Sequence, residues 1–198
     1  MGSLVLASGS ATRREMLERA GLAVTVDPPD VDESAIKQDC RARGLAAGEA
    51  AIKLAIAKAA QVAPRHPGDI VLGADQMLDC GGEWFDKPAD RAAAARQIGR
   101  LSGRTHTLFS AVAVVRGDAV IWRRLESAEL SVRALSAEFI ESYLDRVGDA
   151  VLGSVGGYQV EGLGIQLFDA IRGEHSTILG MPLIPLLSFL RDEGVIAG

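Results

Sequence analysis

Histidine and cysteine are scarce in this chain. Three histidines and two cysteines stand among 198 residues, with no CxxC pair. That poverty argues against a zinc site, which draws on closely spaced thiolates and imidazoles. Cys40 and Cys80 lie in unrelated contexts, and two isolated cysteines point to a reducing compartment rather than a disulfide framework. No basic stretch followed by a long apolar run opens the sequence, so no signal peptide is expected. The stretch MPLIPLLSFL is too short to span a bilayer and contains two prolines. There is no internal repeat, linker or low-complexity segment, and no GxxxxGK[ST] phosphate loop. A net charge of −5 keeps the surface as a whole from attracting a nucleic acid polymer, while leaving room for a local basic site that holds a small anion. These absences describe a cytoplasmic protein without a membrane or nucleic acid polymer among its partners.

What is present suits a folded globular protein. Hydrophobic residues make up 48% and charged residues 24% of the chain, and the length fits a single domain over residues 1–198. Residues 3–7 read as a short strand, apolar on both faces. Helical spacing of Met16, Leu17 and Ala20 follows, with Gly21 where a C-terminal cap belongs. LAVTVDPP alternates and then meets prolines, so a strand ends near Asp27. DVDESAIKQDC is polar and reads as an irregular loop with Asp30, Asp32 and Glu33. An alanine-rich helix runs from about Leu45 to Ala63. DIVLGADQMLDC reads as an apolar strand interrupted by Gly73 and Asp75, turning at Gly81-Gly82 into a short return. Asp90 caps a helix ending near Leu101, and Ser136 caps another. Between them lie two long strands joined at Arg116-Gly117-Asp118. The glycine-dense GSVGGYQVEGLG cannot be regular throughout, and a final helix carries proline in its first turn. Strands and helices alternate around two hairpins, which predicts an α/β fold with a mixed sheet.

Several stretches carry candidate chemistry. Ser8 and Ser10 lie where a strand gives way to a helix, with Arg13 and Arg14 just beyond. Unpaired N–H groups at a helix N-terminus, hydroxyls and guanidinium groups make a phosphate-sized site. The same residues also suit a plain N-cap followed by solvated arginines. Asp75 follows an apolar run, where a lone buried carboxylate is expensive. At a strand end it can hold a metal or activate water; it also suits a turn. Glu33 and Asp32 can present oxygens to a hard cation or simply be solvated. Lys58 and Lys87 are positioned to add positive charge. Taken together, these groups fit phosphoryl chemistry on a nucleotide.

The ordered series LASGSATRREML, VDE, KLAIAKA, GADQ, DKP, LSGRTH, GGYQVEG and LGMPL resembles the Maf family of nucleoside triphosphate pyrophosphatases over essentially the whole chain. The resemblance implies a mixed, twisted sheet flanked by helices, with two lobes around a cleft, like the inosine triphosphate pyrophosphatases. It implies hydrolysis of a nucleoside triphosphate to monophosphate and diphosphate with a divalent metal, Mg or Mn. Ser8, Ser10, Arg13 and Arg14 would hold phosphates, with positive charge from Lys58 and Lys87. Glu33 would bind the metal, together with Asp75, the family's proton acceptor. Pairing as a homodimer, housecleaning of modified nucleotides and inhibition of septum formation during cell division are further implications.

Three motifs depart from the commonest family pattern. The usual S-x-S-P-R-R opening has Ala11-Thr12 in place of Pro-Arg. The usual GADT is GADQ, with Gln76. In the glycine-rich motif the usual lysine is Ser154 and the usual glutamine is Glu161. Within the resemblance, Arg, Thr and Gln at positions 12, 76 and 161 mark the branch acting on dTTP and UTP. Thr12, Gln76 and Glu161 instead resemble the branch acting on 7-methyl-GTP, although that branch often has a large aromatic where Thr12 stands. Guanine offers N1–H and the N2 amine as adjacent donors, which an ionised carboxylate accepts. The alternatives carried forward are a dTTP/UTP pyrophosphatase and a nucleotide-sensing septum-formation inhibitor with little catalysis.

Overall fold

The computed structural model describes residues 3–197. Seven strands form one mixed sheet in the order β2-β1-β3-β5-β6-β7, with β4 paired to β3, and helices flank it. The α/β class expected from alternation is therefore observed. The chain divides into two compact units, residues 1–76, 109–127 and 174–198, and residues 77–108 and 128–173.

In the first unit, β1 (Leu4–Ala7) is buried along its length. Leu4 and Leu6 pack with Met16, Leu17, Leu186 and Phe189, from α1 (Ala11–Arg19) and a C-terminal helix, Leu183–Asp192. Val5 and Ala7 face the other way, toward Ala59 and Val62 of α3 (Ala47–Val62). Burial of each such Val, Leu, Met or Phe side chain contributes roughly 1.5–3 kcal/mol. β1 pairs in parallel with β2 (Val24–Val26) on one side and β3 (Ile70–Cys80) on the other. The chain therefore winds away from β1 in both directions. In parallel α/β sheets such a reversal opens a crevice beyond the strands' carboxyl ends. That is where Ser8 follows Ala7.

Two expectations are corrected here. The segment read as an irregular loop is α2 (Glu33–Ala42), whose N-cap Asp32 accepts a hydrogen bond from the Ala35 amide at 3.0 Å. Cys40 is buried on it; the polar composition hid an amphipathic helix with a single apolar stripe. Gly73 and Asp75 do not interrupt β3, which runs unbroken for 11 residues. Gly73 instead lets α3 come close: a Cβ there would lie 2.0 Å from the Ala55 carbonyl oxygen and 2.7 Å from the Ala59 nitrogen. Strand glycines often mark such a backbone approach.

In the second unit, the Gly81-Gly82 turn joins β3 to β4 (Glu83–Phe85) as an antiparallel hairpin, as expected. Asp90 caps α4 (Arg91–Leu101), Ser136 caps α5 (Ala137–Val147), and the long strands are β5 (Thr105–Arg116) and β6 (Ala119–Val132). The glycine-dense stretch forms short 3-10 turns at Gly148–Gly153, Val155–Gly157 and Leu163–Leu167. His106 is buried with Tyr158 and Phe168, its Nε2 2.6 Å from the Tyr158 hydroxyl. The sequence did not reveal β7 (Phe168–Arg172), antiparallel to β6, nor the four-residue α6 (His175–Ile178), which belongs to the first unit and precedes α7 (Leu183–Asp192). Both are too short to show a period. Among the described residues no helix is long and apolar enough to cross a membrane, and both cysteines are free and buried.

Candidate active site

The turn after β1 is both a cap and a polar cradle. Ser10 Oγ accepts from the Arg13 amide at 3.3 Å. Ser8 Oγ accepts from the Ser10 amide at 3.2 Å and from Arg13 Nη1 at 3.3 Å. Within the described residues both hydroxyls act only as acceptors, so each keeps its own proton to donate. The amides that open a helix lack intrahelical partners, and in α1 the Arg13 amide is already taken by Ser10, which leaves those ahead of it to face an anion.

Arg13 is a strut as well as a charge. Its Nη1 also donates to the Ala74 carbonyl at 3.1 Å, and its Nε to the Gly180 carbonyl at 3.0 Å. Gly180, at φ +102°, brings its backbone against the guanidinium without a side chain in the way. Burial lowers the Arg13 pKa, while Asp75 and Glu33 oppose that shift. Arg14 is exposed beside Glu18, and Thr12 is half-buried on the same turn.

Period-two alternation along β3 decides what the GADQ residues touch. Val71 and Asp75 fall on the face covered by α3, while Ile70, Leu72 and Gln76 fall on the other. Asp75 is 5% exposed, and its Oδ1 lies 2.6 Å from Lys58 Nζ. The same ammonium lies 2.7 Å from Glu33 Oε1. Asp75 Oδ2 is buried without a partner among the described residues. Burial raises the Asp75 pKa; Lys58 and Arg13 pull it back, and Glu33 adds to the rise. A carboxyl shifted upward by burial is suited to take a proton near neutral pH.

Gln76 points the opposite way. Its amide nitrogen meets the Thr177 and Ile178 carbonyls at 3.2 and 3.0 Å and Ser110 Oγ at 3.0 Å. Ser110 spends its own proton on the Thr177 carbonyl at 2.7 Å. All three partners can only accept, which fixes the amide orientation. Ser110 and Thr177 escaped sequence reasoning, because a serine inside an apolar strand and a threonine in a short helix carry no spacing signal. Glu174 was also missed. Its carboxylate caps α6 through the Ser176 and Thr177 amides, both at 3.0 Å, and accepts from the Ser176 hydroxyl.

The first unit thus joins Ser8, Ser10 and Arg13 in one cluster and Glu33, Lys58 and Asp75 in another, with Gln76 behind the sheet and Thr12 and Arg14 on α1 outside both sets of contacts. Lys87 and Glu161 belong to the second unit. Lys87 is exposed after β4, and Glu161 is exposed between two 3-10 turns. Among the described residues no three or more His, Cys, Asp or Glu side chains cluster as a metal site. Two carboxylates, one with a free buried oxygen, still fit a hard cation whose remaining ligands are phosphate oxygens and water, the usual manner of Mg²⁺.

The family described as Maf-like protein matches residues 3–193. The chain is 50% identical over 190 residues to a nucleoside triphosphate pyrophosphatase of Paramagnetospirillum magneticum, covering 96% of this chain and 98% of that relative. To one of Rhodopseudomonas palustris it is 52% identical over 191 residues, covering 96% and 93%. The chain belongs to the Maf-like family. A solved nucleoside-triphosphatase / dITP/XTP pyrophosphatase from Mycobacterium abscessus is similar at 16% identity over 99% of this chain and 100% of that one. Its TM-score is 0.48, too low to bear on function.

Proposed function

We propose that this chain is a nucleoside triphosphate pyrophosphatase, favouring 7-methyl-GTP or a similar modified purine, with a divalent cation held by Glu33 and Asp75. One observation carries the reading: a buried carboxylate with one oxygen on Lys58 and the other without a partner among the described residues, beside a turn whose two serine hydroxyls act there only as acceptors. The names of the relatives support the same activity.

In this mechanism the Ser8 and Ser10 hydroxyls and the first-turn amides of α1 bind phosphate oxygens. Arg14 and Lys87 supply further positive charge. Asp75 orients a water and takes its proton. The water oxygen attacks the α-phosphorus, the bond to the bridging oxygen breaks, and diphosphate leaves with the electron pair. When bound, a divalent cation offsets triphosphate charge and makes water more acidic. The arginine strut holds the serine turn against Ala74, next to Asp75, so phosphate binder and base share one rigid mount.

Glu161 is the proposed reader of the base, since its carboxylate matches guanine's paired donors and the positive charge that N7-methylation adds. The test is diphosphate release from a nucleotide panel with Mg²⁺ or Mn²⁺. Release chiefly from 7-methyl-GTP is expected. Preference for dTTP or UTP would overturn the base assignment, binding without release would favour the sensor reading, and release from none would remove the enzyme reading. Glu161→Gln should shift preference toward pyrimidines by roughly tenfold, the scale of one base-edge hydrogen-bond pair; an unchanged preference refutes that role.

A further inference from the structure

Lys58 occupies the place between the carboxylates that a cation would take. Its ammonium is within 2.7 Å of both Asp75 Oδ1 and Glu33 Oε1, and the residue is 7% exposed. We infer that Lys58 is an internal counter-cation that holds the metal site closed in the nucleotide-free protein, and that it must move onto another anion before a divalent ion can bind. The inference rests on the proposed metal position at Glu33 and Asp75.

The charges argue for it. Arg13 and Lys58 balance Asp75 and Glu33, and a further cation, Lys37, lies 3.9 Å from Glu33 Oε2. A divalent ion arriving alone would add two positive charges beside Lys58 and the buried Asp75, which is unfavourable there even with the Glu33 side chain 44% exposed. Lys58 has no solvent to retreat into, and a buried ammonium needs a partner. A triphosphate supplies one: its oxygens can take Lys58 and complete the cation's coordination together. Metal and nucleotide then bind as coupled events, and the buried Asp75 stays paired with Lys58 between turnovers. Arg13 cannot make the same exchange, because Ser8, Ala74 and Gly180 hold it.

The experiment measures Mn²⁺ binding without nucleotide by electron paramagnetic resonance of free Mn²⁺. Wild type is compared with Lys58→Met and, should that variant fold poorly by circular dichroism, Lys58→Gln. The expected result is Mn²⁺ affinity at least about tenfold higher in the neutral variants than in wild type. A larger rise in melting temperature on adding Mn²⁺ should accompany it. Equal or weaker binding by the variants overturns the inference, as does no binding by either protein. Turnover plays no part in this readout. A protein that releases no diphosphate from any nucleotide, yet gains Mn²⁺ affinity on loss of Lys58, would refute the pyrophosphatase reading and leave this one standing.

Discussion

Replacing Gly73 with alanine would test whether the close approach of α3 to β3 makes the site. The added Cβ would meet the Ala55 carbonyl at 2.0 Å, the Ala59 nitrogen at 2.7 Å and the Ala59 Cβ at 2.9 Å. Two of those atoms are backbone, so no rotamer change relieves the overlap. Helix and strand must part by about 1 Å or more to restore ordinary contact. Overpacking usually destabilises by about 1–3 kcal/mol, and the upper end is expected here. The same recoil would stretch the 2.6 Å Lys58–Asp75 contact beyond hydrogen-bond length. Misplacement on that scale lowers kcat/KM by about 10²-fold. Urea denaturation reads the first effect and diphosphate release the second. Gly99 in α4 is the control: nothing lies within 4 Å of a Cβ there, so Gly99→Ala should stabilise by about 0.5–1 kcal/mol. A Gly73→Ala protein with wild-type stability and turnover would refute the reasoning.

Two further outcomes are expected. Asp75→Asn should keep the fold by circular dichroism and lower kcat by about 10²–10⁴-fold; wild-type activity should fall on acidification as the raised Asp75 pKa is passed, and a fully active variant removes Asp75 from the mechanism. Acid should also cost stability through His106, whose burial lowers its pKa from 6.5 to about 4. The unfolded chain takes a proton near pH 6.5 that the folded chain refuses until about pH 4. Stability is therefore full above pH 6.5 and declines by about 3 kcal/mol as pH falls through that window. His106→Phe should flatten this slope in denaturation curves collected across it, and an unchanged slope counts against the assignment.

The sequence was most legible where periodicity and caps agree. β1, α1, α3, α4, α5 and both hairpins stand where apolar spacing and the capping residues Ser10, Asp90 and Ser136 put them. It was least legible where composition misled, as at α2, whose charged residues resemble a loop until its cap and single buried face are seen. Motif residues were legible as a set but not in their contacts. Strand alternation puts the last two residues of GADQ on opposite sides of the sheet, but nothing in the string says what lies on either side, or that Arg13 ties the serine turn to Ala74 and Gly180. Those links join residues up to 167 positions apart, beyond the reach of any local pattern.

That alternation in β3 has a consequence for how the chain can change. Inserting or deleting one residue upstream of Asp75 within the strand would exchange the two faces. A carboxylate would then point at the Thr177 and Ile178 carbonyls, which repel it, and an amide at Lys58, leaving the ammonium with Glu33 alone. Side chains along β3 can be replaced one at a time, but the strand has no tolerance for a change of length, so its residue count is as much a part of the site as the residues themselves.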